Sequence, residues 1–557
     1  MKRLHQYTFL LLTLALVHTA CNEEEFLREE PLDFFSPSNA FVTLNDYEAA
    51  IVDLYAQTRD YNFNAAGEAS ADFYGTDIMF DARESNSNNR FGNYSNTLNP
   101  TSNMVIWHWE RWYKLVASSN TIIERVAESD LTEEQQRAIT AEASFFRGLA
   151  YRRLVYLYGG VPLVLSEVSS AQADFTRASR TEILNQMVTD FGFAANNLPG
   201  ITEVADGRVS DLVAQHYLAE THIALAQWDP AIAATTAVIN DPATALMTER
   251  FGSRAGFEGG DVYFDLFRQG NQNRSGGNTE ALWVAQMEVD VPGGYLSSTD
   301  RDGNTLERDH APASWTLQDP DGEGAVLGWR SDLNVGGRGV SFMRPTSFFE
   351  NELWESDFDG DLRNSPVNYV RDFIYDDPAS AWFDSSAVEY PGPNLLAQSW
   401  RWYPWLSKVT TPGQHPDALY ANRELGLLTA GGGSTYTDQY YLRLAETYLL
   451  RAEAYLGKGS LAEAAADINT VRARVGATPV TPGEVDIDYI LDERARELSL
   501  EEDRRITLQR LNKLVERVRL YNAHNGPQIQ DYHALWPIPI SEIDANINAD
   551  LAQNPGY

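Results

Sequence analysis

The side chains in this chain best equipped for binding chemistry are aromatic rings that stand beside Arg, Asp or amide residues in sequence of loop composition. A sugar presents a flat C–H face and a rim of hydroxyls, so a site for one needs an exposed ring with carboxylate, amide or guanidinium partners. Three sets fit that description. Phe73, Tyr74, Asp77, Arg90 and Tyr94 surround the Asn- and Ser-rich run DARESNSNNRFGNYSNTLNP at 81–100. Trp329, Arg330 and Phe342 flank a Gly-rich run at 336–339, and Trp382 with Trp400, Trp402, Tyr403 and Trp405 makes the third set. For each ring the competing fate is burial in the core, where aromatic side chains contribute most area.

Catalytic patterns are scarce. HExxH, GxGxxG, P-loop and GxSxG motifs do not occur, and GGGSTY at 431–436 lacks the closing glycine of a nucleophile elbow. Asp357, Asp359 and Asp361 alternate like the start of a calcium loop, yet Leu362 occupies the glycine position and no Glu stands at the twelfth. The expectation is a binding protein, not an enzyme, with no catalytic residue, no metal and no cofactor. With 79 acidic residues, paired carboxylates for glycoside hydrolysis can arise anywhere, so a hydrolase stays open as a rival class.

The elements that must position these loops are helical. From Asp438 to Gly476 the spacing predicts two helices joined by a tight turn: Ala445, Tyr448, Leu449, Ala452, Tyr455 and Leu456 lie on one face, Gly457 and Gly459 break the first helix, and Ser460 caps the second. Ala452 and Ala464, across that turn, allow close approach of two backbones, and Ala219 and Ala231 repeat the spacing within a second hairpin, Gly207–Ala226 and Trp228–Ile239. Further helices are predicted within 36–61, with Ser36 and Pro37 suited to the start and Ser38 and Thr43 as alternative caps, from Met104 to the acidic turn at Glu128–Asp130, over Thr132–Leu157, and over 180–197. A charged helix at Leu491–Arg505 and another to about Tyr521 follow. Between about Arg250 and Thr437 the periodicity is lost, a strand-like run appears at Ala281–Val289, and eight of the thirteen Trp residues occur. An insert that long and that aromatic reads as an ordered, loop-rich region on a helical scaffold. Arg147, Glu446, Glu453, Arg472, Glu493 and Arg494 read as inter-helix ion pairs, and Trp109, Trp112 and Trp228 as core.

The N-terminus supplies an address. Lys2 and Arg3 precede an apolar run, Phe9–Val17, that ends at Thr19, Ala20 and Cys21, the only cysteine of the 557 residues. Residues 1–20 therefore read as a lipoprotein signal peptide, with Cys21 as the acylated new N-terminus and NEEE at 22–25 as an acidic leader. The segment resembles a bacterial lipobox, with His18 where Leu is usual. With no second cysteine, no intramolecular disulfide forms. Net charge is −36; without Lys2 and Arg3 it is −38, since residues 1–20 hold no Asp or Glu. Such a surface repels phosphate backbones, which excludes nucleic acid as a partner, and on the same ground polyanions are expected to bind poorly.

Taken in order, AEASFFRGLAYRRLVYLYGGVPLV at 141–164, RTEILNQMVTDFGFAANNLP at 180–199, GRVSDLVAQHYLAETHIALAQWDPAI at 207–232, RLAETYLLRAEAYL at 443–456, INTVRARVG at 468–476, LDERARELSLEEDRR at 491–505 and LWPIPISEI at 535–543 resemble the SusD/RagB family of surface nutrient-binding lipoproteins of Bacteroidetes. The resemblance implies a mainly α fold with about four tetratricopeptide-like helical pairs and a ligand face built from loops. It also implies capture of oligo- or polysaccharide without catalysis, and a seat on a TonB-dependent SusC-like transporter. The protein would then be lipid-anchored to the outer membrane, facing the cell exterior. The regions expected are a signal peptide at 1–20, an N-terminal helical region at 21–249, a ligand-facing region at 250–437 and a C-terminal helical region at 438–557. The alternative class is a helical-repeat scaffold that binds peptide or protein and no glycan.

Overall fold

The computed structural model describes residues 41–64, 67–85, 87–299 and 303–557. The signal peptide, Cys21, the acidic leader and the helix start expected at Ser36 and Pro37 lie outside them. Eight helices follow one another in space: α1 (Leu44–Phe63), α2 (Asn103–Ala127), α3 (Glu133–Tyr158), α4 (Arg180–Asn197), α5 (Asp211–Ala224), α6 (Trp228–Ile239), α7 (Leu444–Lys458) and α8 (Leu461–Arg474), each packed on the next. Taken two at a time they are four helical pairs, the scaffold that the family resemblance implied. The array is interrupted in sequence but not in space, because α6 packs directly on α7 although the whole loop-rich region lies between them.

Local sequence explains the helix starts. Thr43, with its backbone N–H donating to Asp46 at 2.7 Å, opens α1, and Thr132 with Gln135 and Ser179 with Glu182 make the same reciprocal caps for α3 and α4. Small residues explain the close packing. Ala452 and Ala464 are fully buried in one apolar cluster of α7 and α8, and Ala219 and Ala231 in another that also takes Leu450 and Ala454. Gly457 continues α7 where a break was expected. Any side chain there would run into the ring of Trp228, so the glycine seats that half-buried ring between α6 and α7. The helix ends instead at Gly459, φ +84°, and Ser460 forms no side-chain cap.

Two sequence expectations are corrected. Residues Gln439–Arg443 are a strand, antiparallel to Ala281–Ala285, and not the first turn of a helix. The run Leu491–Arg505 is two helices, α9 (Ile487–Leu498) and α10 (Arg504–Arg510), separated at Leu500, whose φ is +61°. A further helix, α11 (Leu514–Tyr521), follows.

The scaffold core is charged as well as apolar. Glu497 is fully buried and accepts from Arg363 and Arg443, at 3.1 and 2.9 Å, and from Arg474. Arg443 and Arg474 also hold buried Glu280, while Arg363, Arg472 and Arg496 share Glu493. The expected ion pairs form: Arg147 with Asp190, Arg494 with Glu446, Arg510 with Glu453. Burial raises a carboxyl pKa, yet Arg474, Arg443 and Arg363 hold Glu497 well below the usual carboxylate range. Because each charge is matched, removing one partner strands the rest. Trp109 and Trp112 are buried, as expected. Asp361 is bound by Arg363, and Asp357 by Arg472 and Thr478, so both are committed to protein partners rather than to a cation.

Candidate functional site

Three of the predicted ligand residues belong to the core. Asp77 is fully buried between Arg504 and Arg517, at 2.6 and 2.7 Å; against the effect of burial these two guanidiniums bring its pKa down to about 2. Tyr94 is fully buried, donates to the Gly75 carbonyl and receives Arg505 at 3.4 Å, and Tyr74 is 1% exposed with its carbonyl on Arg505. The C-terminal helices α10 and α11 supply those arginines, so the early aromatic set is a seam between the two ends of the chain. Phe73 is half-buried against the same core. Trp402, Tyr403 and Trp405 are likewise buried.

The remaining candidates other than Trp382 meet along one segment, 336–342. Gly336 and Gly337 have φ of +72° and +82°, and side chains there would strike Trp405 and Glu307, so the backbone must be bare to pass. Arg338 follows, with its guanidinium 4.9 Å from the centroid of Trp329. The Gly339 carbonyl accepts the indole N–H of Trp315 at 3.0 Å, and Trp315 meets Trp329 edge-on, 5.4 Å between centroids at 67°. Trp315 is 38% exposed. One edge is tied by a hydrogen bond and the ring is braced by a second indole, so it offers area to a ligand without the entropy of a free side chain. Further along, Val340 and Ser341 offer their carbonyls to Arg83 at 2.6 and 3.2 Å, and Phe342 lies under Arg90 at 3.9 Å. Ser341 has φ +60°, a costly conformation for a side chain with a Cβ. It persists because its Oγ takes the Ala313 N–H and its own N–H bonds the Ala311 carbonyl.

A buried base fixes this segment. His310 accepts the Leu406 N–H on Nε2 and so carries its proton on Nδ1, which donates to the Met343 carbonyl at 3.1 Å. Burial pushes its pKa down to about 3, so the ring is neutral. Tyr403 donates to the carbonyls of His310 and Met343. Arg330 proves to be a strut: it pairs with Asp376 at 2.7 Å and Asp332 at 3.0 Å, and its backbone bridges Gly337 on one side and Leu427 on the other. Trp382 lies apart, donating to Asp321 at 2.9 Å and resting on Tyr390.

Glu307, His415 and Ser331 form a hydrogen-bonded chain with the order of an acid, a base and a nucleophile. His415 Nε2 donates to Glu307 at 2.8 Å, and Ser331 Oγ donates to Nδ1 at 2.5 Å. The serine oxygen also accepts the Gly413 N–H and the Tyr420 hydroxyl, which fills both lone pairs, and Ser331 is buried. An oxygen so occupied has nothing left for attack on a carbonyl. The three residues tie the short helix Leu306–His310 to the loops that carry Ser331 and His415.

Sequence reasoning missed Trp315, Arg83, Arg338 and Arg401. Trp315 stands alone in APASWTLQ, and no local signal separates an exposed tryptophan from a buried one. Of the residues singled out, the segment unites Trp329 and Phe342 of the second set with Arg90 of the first and Trp400 of the third.

The fold and site thus define a helical-repeat protein that displays a loop-built, aromatic and arginine-lined face, and no helix among the described residues is long and apolar enough to cross a membrane. Residues 398–557 match the SusD family, and residues 30–220 match the family described as starch-binding, associating with outer membrane. The chain belongs to the SusD/RagB family. The SusD-like protein P25 of Formosa agariphila is 24% identical over 97% of this chain and 98% of its own length. The starch-binding protein SusD of Bacteroides thetaiotaomicron is 38% identical over 22% of each chain. Among solved structures, a laminarin binding SusD-like protein superposes with a TM-score of 0.64 at 22% identity, covering 93% of this chain and all of its own. Surface glycan-binding protein A of B. thetaiotaomicron, in complex with laminarihexaose, gives 0.64 at 19% identity over 92% and 99%. At these identities the structures establish the shared fold.

Proposed function

We propose that this protein captures oligo- or polysaccharide on the face built along 336–342 and delivers it to a TonB-dependent SusC-like transporter, without catalysis. Lipid at Cys21 would hold it on the outer membrane, facing the cell exterior. The observation that carries this reading is the braced, part-exposed Trp315 on Trp329 beside Arg338. The glycan ligands named for its relatives support the ligand class, and the family description supports the membrane.

Magnitudes fit capture better than tight retention. Covering the open part of one indole at ~25 cal/mol/Å² contributes about 2 kcal/mol before ordering costs. Two platforms with a few hydrogen bonds give affinities on the order of micromolar to millimolar. Anchoring beside a transporter compensates by keeping released glycan at high effective concentration over the pore.

The test is binding of the purified chain to a panel of neutral and acidic polysaccharides and to peptides, with Trp315→Ala alongside. Glycan binding that falls about tenfold in the variant is expected from the loss of one platform. Binding of peptides and no glycan, or glycan binding untouched by the substitution, would overturn the reading.

A further inference from the structure

The far end of the same segment carries an arrangement that a neutral ligand does not call for. The guanidinium carbon of Arg83 stands 3.5 Å from the centroid of Trp400, and that of Arg401 stands 4.6 Å from the same centroid. Arg83 also reaches Phe342 at 5.8 Å, over which Arg90 lies. Arginine and ring therefore alternate: Arg401, Trp400, Arg83, Phe342, Arg90. The two charges over Trp400 are no further apart than the sum of their distances to it.

Compensation is incomplete. Arg90 has Asp81 at 3.4 Å, a carboxylate already taking the backbone N–H groups of Arg83 and Ser85 and the Ser85 hydroxyl. Arg344, at the border, pairs with Glu350 and donates to Ser399. Among the described residues, Arg83 and Arg401 have no carboxylate oxygen within ion-pair distance. Arg83 gives Nε and Nη2 to the carbonyls of Ser341 and Val340, and Arg401 gives Nε to the Gln398 amide oxygen at 3.0 Å. Glu84 is exposed and forms no ion pair among the described residues. In a chain with 79 acidic and 43 basic residues, two adjacent arginines without a carboxylate are against the composition. Burial lowers the Arg83 pKa, with Arg90 and Arg401 acting in the same direction and Tyr403 and Asp81 against it.

We propose that this ladder is a subsite for an acidic sugar, in which Arg83 and Arg401 receive a carboxylate or sulfate ester while Trp400 and Phe342, stacked between the guanidiniums, hold them in place. The inference rests on the glycan-capture reading above and narrows its substrate class. It also reverses the expectation drawn from net charge. Screening confines the acidic surface to about 8 Å at physiological salt, so a ligand at the ladder experiences the local arginines rather than the total of −36. Planar guanidinium suits either oxyanion, through paired N–H donors.

The experiment compares polygalacturonate, dextran sulfate and uncharged dextran by affinity electrophoresis and calorimetry, at roughly 50 and 300 mM salt. One of the two acidic polymers is expected to bind about tenfold or more tighter than dextran at the lower salt, and to lose most of that margin at the higher. Which polymer wins separates carboxylate from sulfate. Arg401→Gln removes a side chain whose only described hydrogen bond is to Gln398, so it should leave the melting temperature unchanged while abolishing most of the preference. Arg83→Gln should do the same if it folds, and Arg83→Lys should restore part of it. Equal binding of charged and uncharged polymers, or a preference that survives Arg401→Gln, would overturn the proposal. Binding of neutral glycan alone sinks this subsite and leaves the capture function standing; binding of no glycan at all sinks both.

Discussion

Arginine is used in two opposite ways in this molecule. Around Glu497, Arg363, Arg443 and Arg474 are fully buried and every guanidinium has carboxylate partners. Around Trp400, Arg83 and Arg401 are half-exposed and are held by backbone, an amide and a ring. The residue type is the same, so type says little about role. What separates scaffold from site is whether the charge is already spent: the paired arginines hold helices in register, and the unpaired ones retain capacity for a ligand.

Acidification should expose that difference most strongly. His108, His216 and His310 are buried, with pKa values pushed down to about 3, and each is bonded as a neutral ring. The unfolded chain takes up these protons below pH 6.5 while the folded one does not, so stability falls as pH falls, by about 1.4 kcal/mol per unit for each histidine. Glu220, Glu493 and Asp77, lowered to about 2 by their arginines, add losses of the same sign below about pH 4.5. Denaturant midpoints at pH 7, 6 and 5 check this. Glycan binding by the folded protein should stay flat over that range, since none of the rings or guanidiniums named for the site titrates there.

Glu497→Ala should cost about 3–5 kcal/mol, because three buried guanidiniums lose a shared partner. A loss below about 1 kcal/mol, measured by urea unfolding, would mean that this cluster is as free as the one around Trp400. Asp77→Asn should cost somewhat less, about 3 kcal/mol, since Arg517 keeps Asp488 and Asp492 while Arg504 keeps Glu502. It should leave glycan affinity per folded molecule unchanged. A selective loss of binding would restore Asp77 to the ligand set. Trp315→Ala should act on both, costing about 2–3 kcal/mol of stability through its covered part while binding per folded molecule weakens about tenfold. Thermal melts with calorimetry on one preparation read both quantities.

Much of the scaffold was legible because its causes are local. The sequence pattern places α3 and α4 within a residue of their observed starts, and the alanine pairs mark real helix contacts. Gln439–Arg443 was misread because its partner strand is at 281–285, and the split at Leu500 because one left-handed residue leaves no trace in a charged, helix-prone run. At the proposed site, Trp329 with Phe342, Arg90, and Trp400 were named but divided among three groups. Tyr74, Asp77 and Tyr94 were named for binding and went to the core, since Arg504, Arg505 and Arg517 reach them from the other end of the chain.

By itself the sequence determined the helices of the array and their close-packed alanines, since these depend on residues within a turn or two of one another. It determined too that aromatic loops ride on that array. Which rings remain open, and which arginines remain unpaired, was decided by tertiary structure alone. Exposure and charge pairing depend on neighbours up to hundreds of residues away, such as Val340 and Ser341 on Arg83, which no short-range pattern encodes.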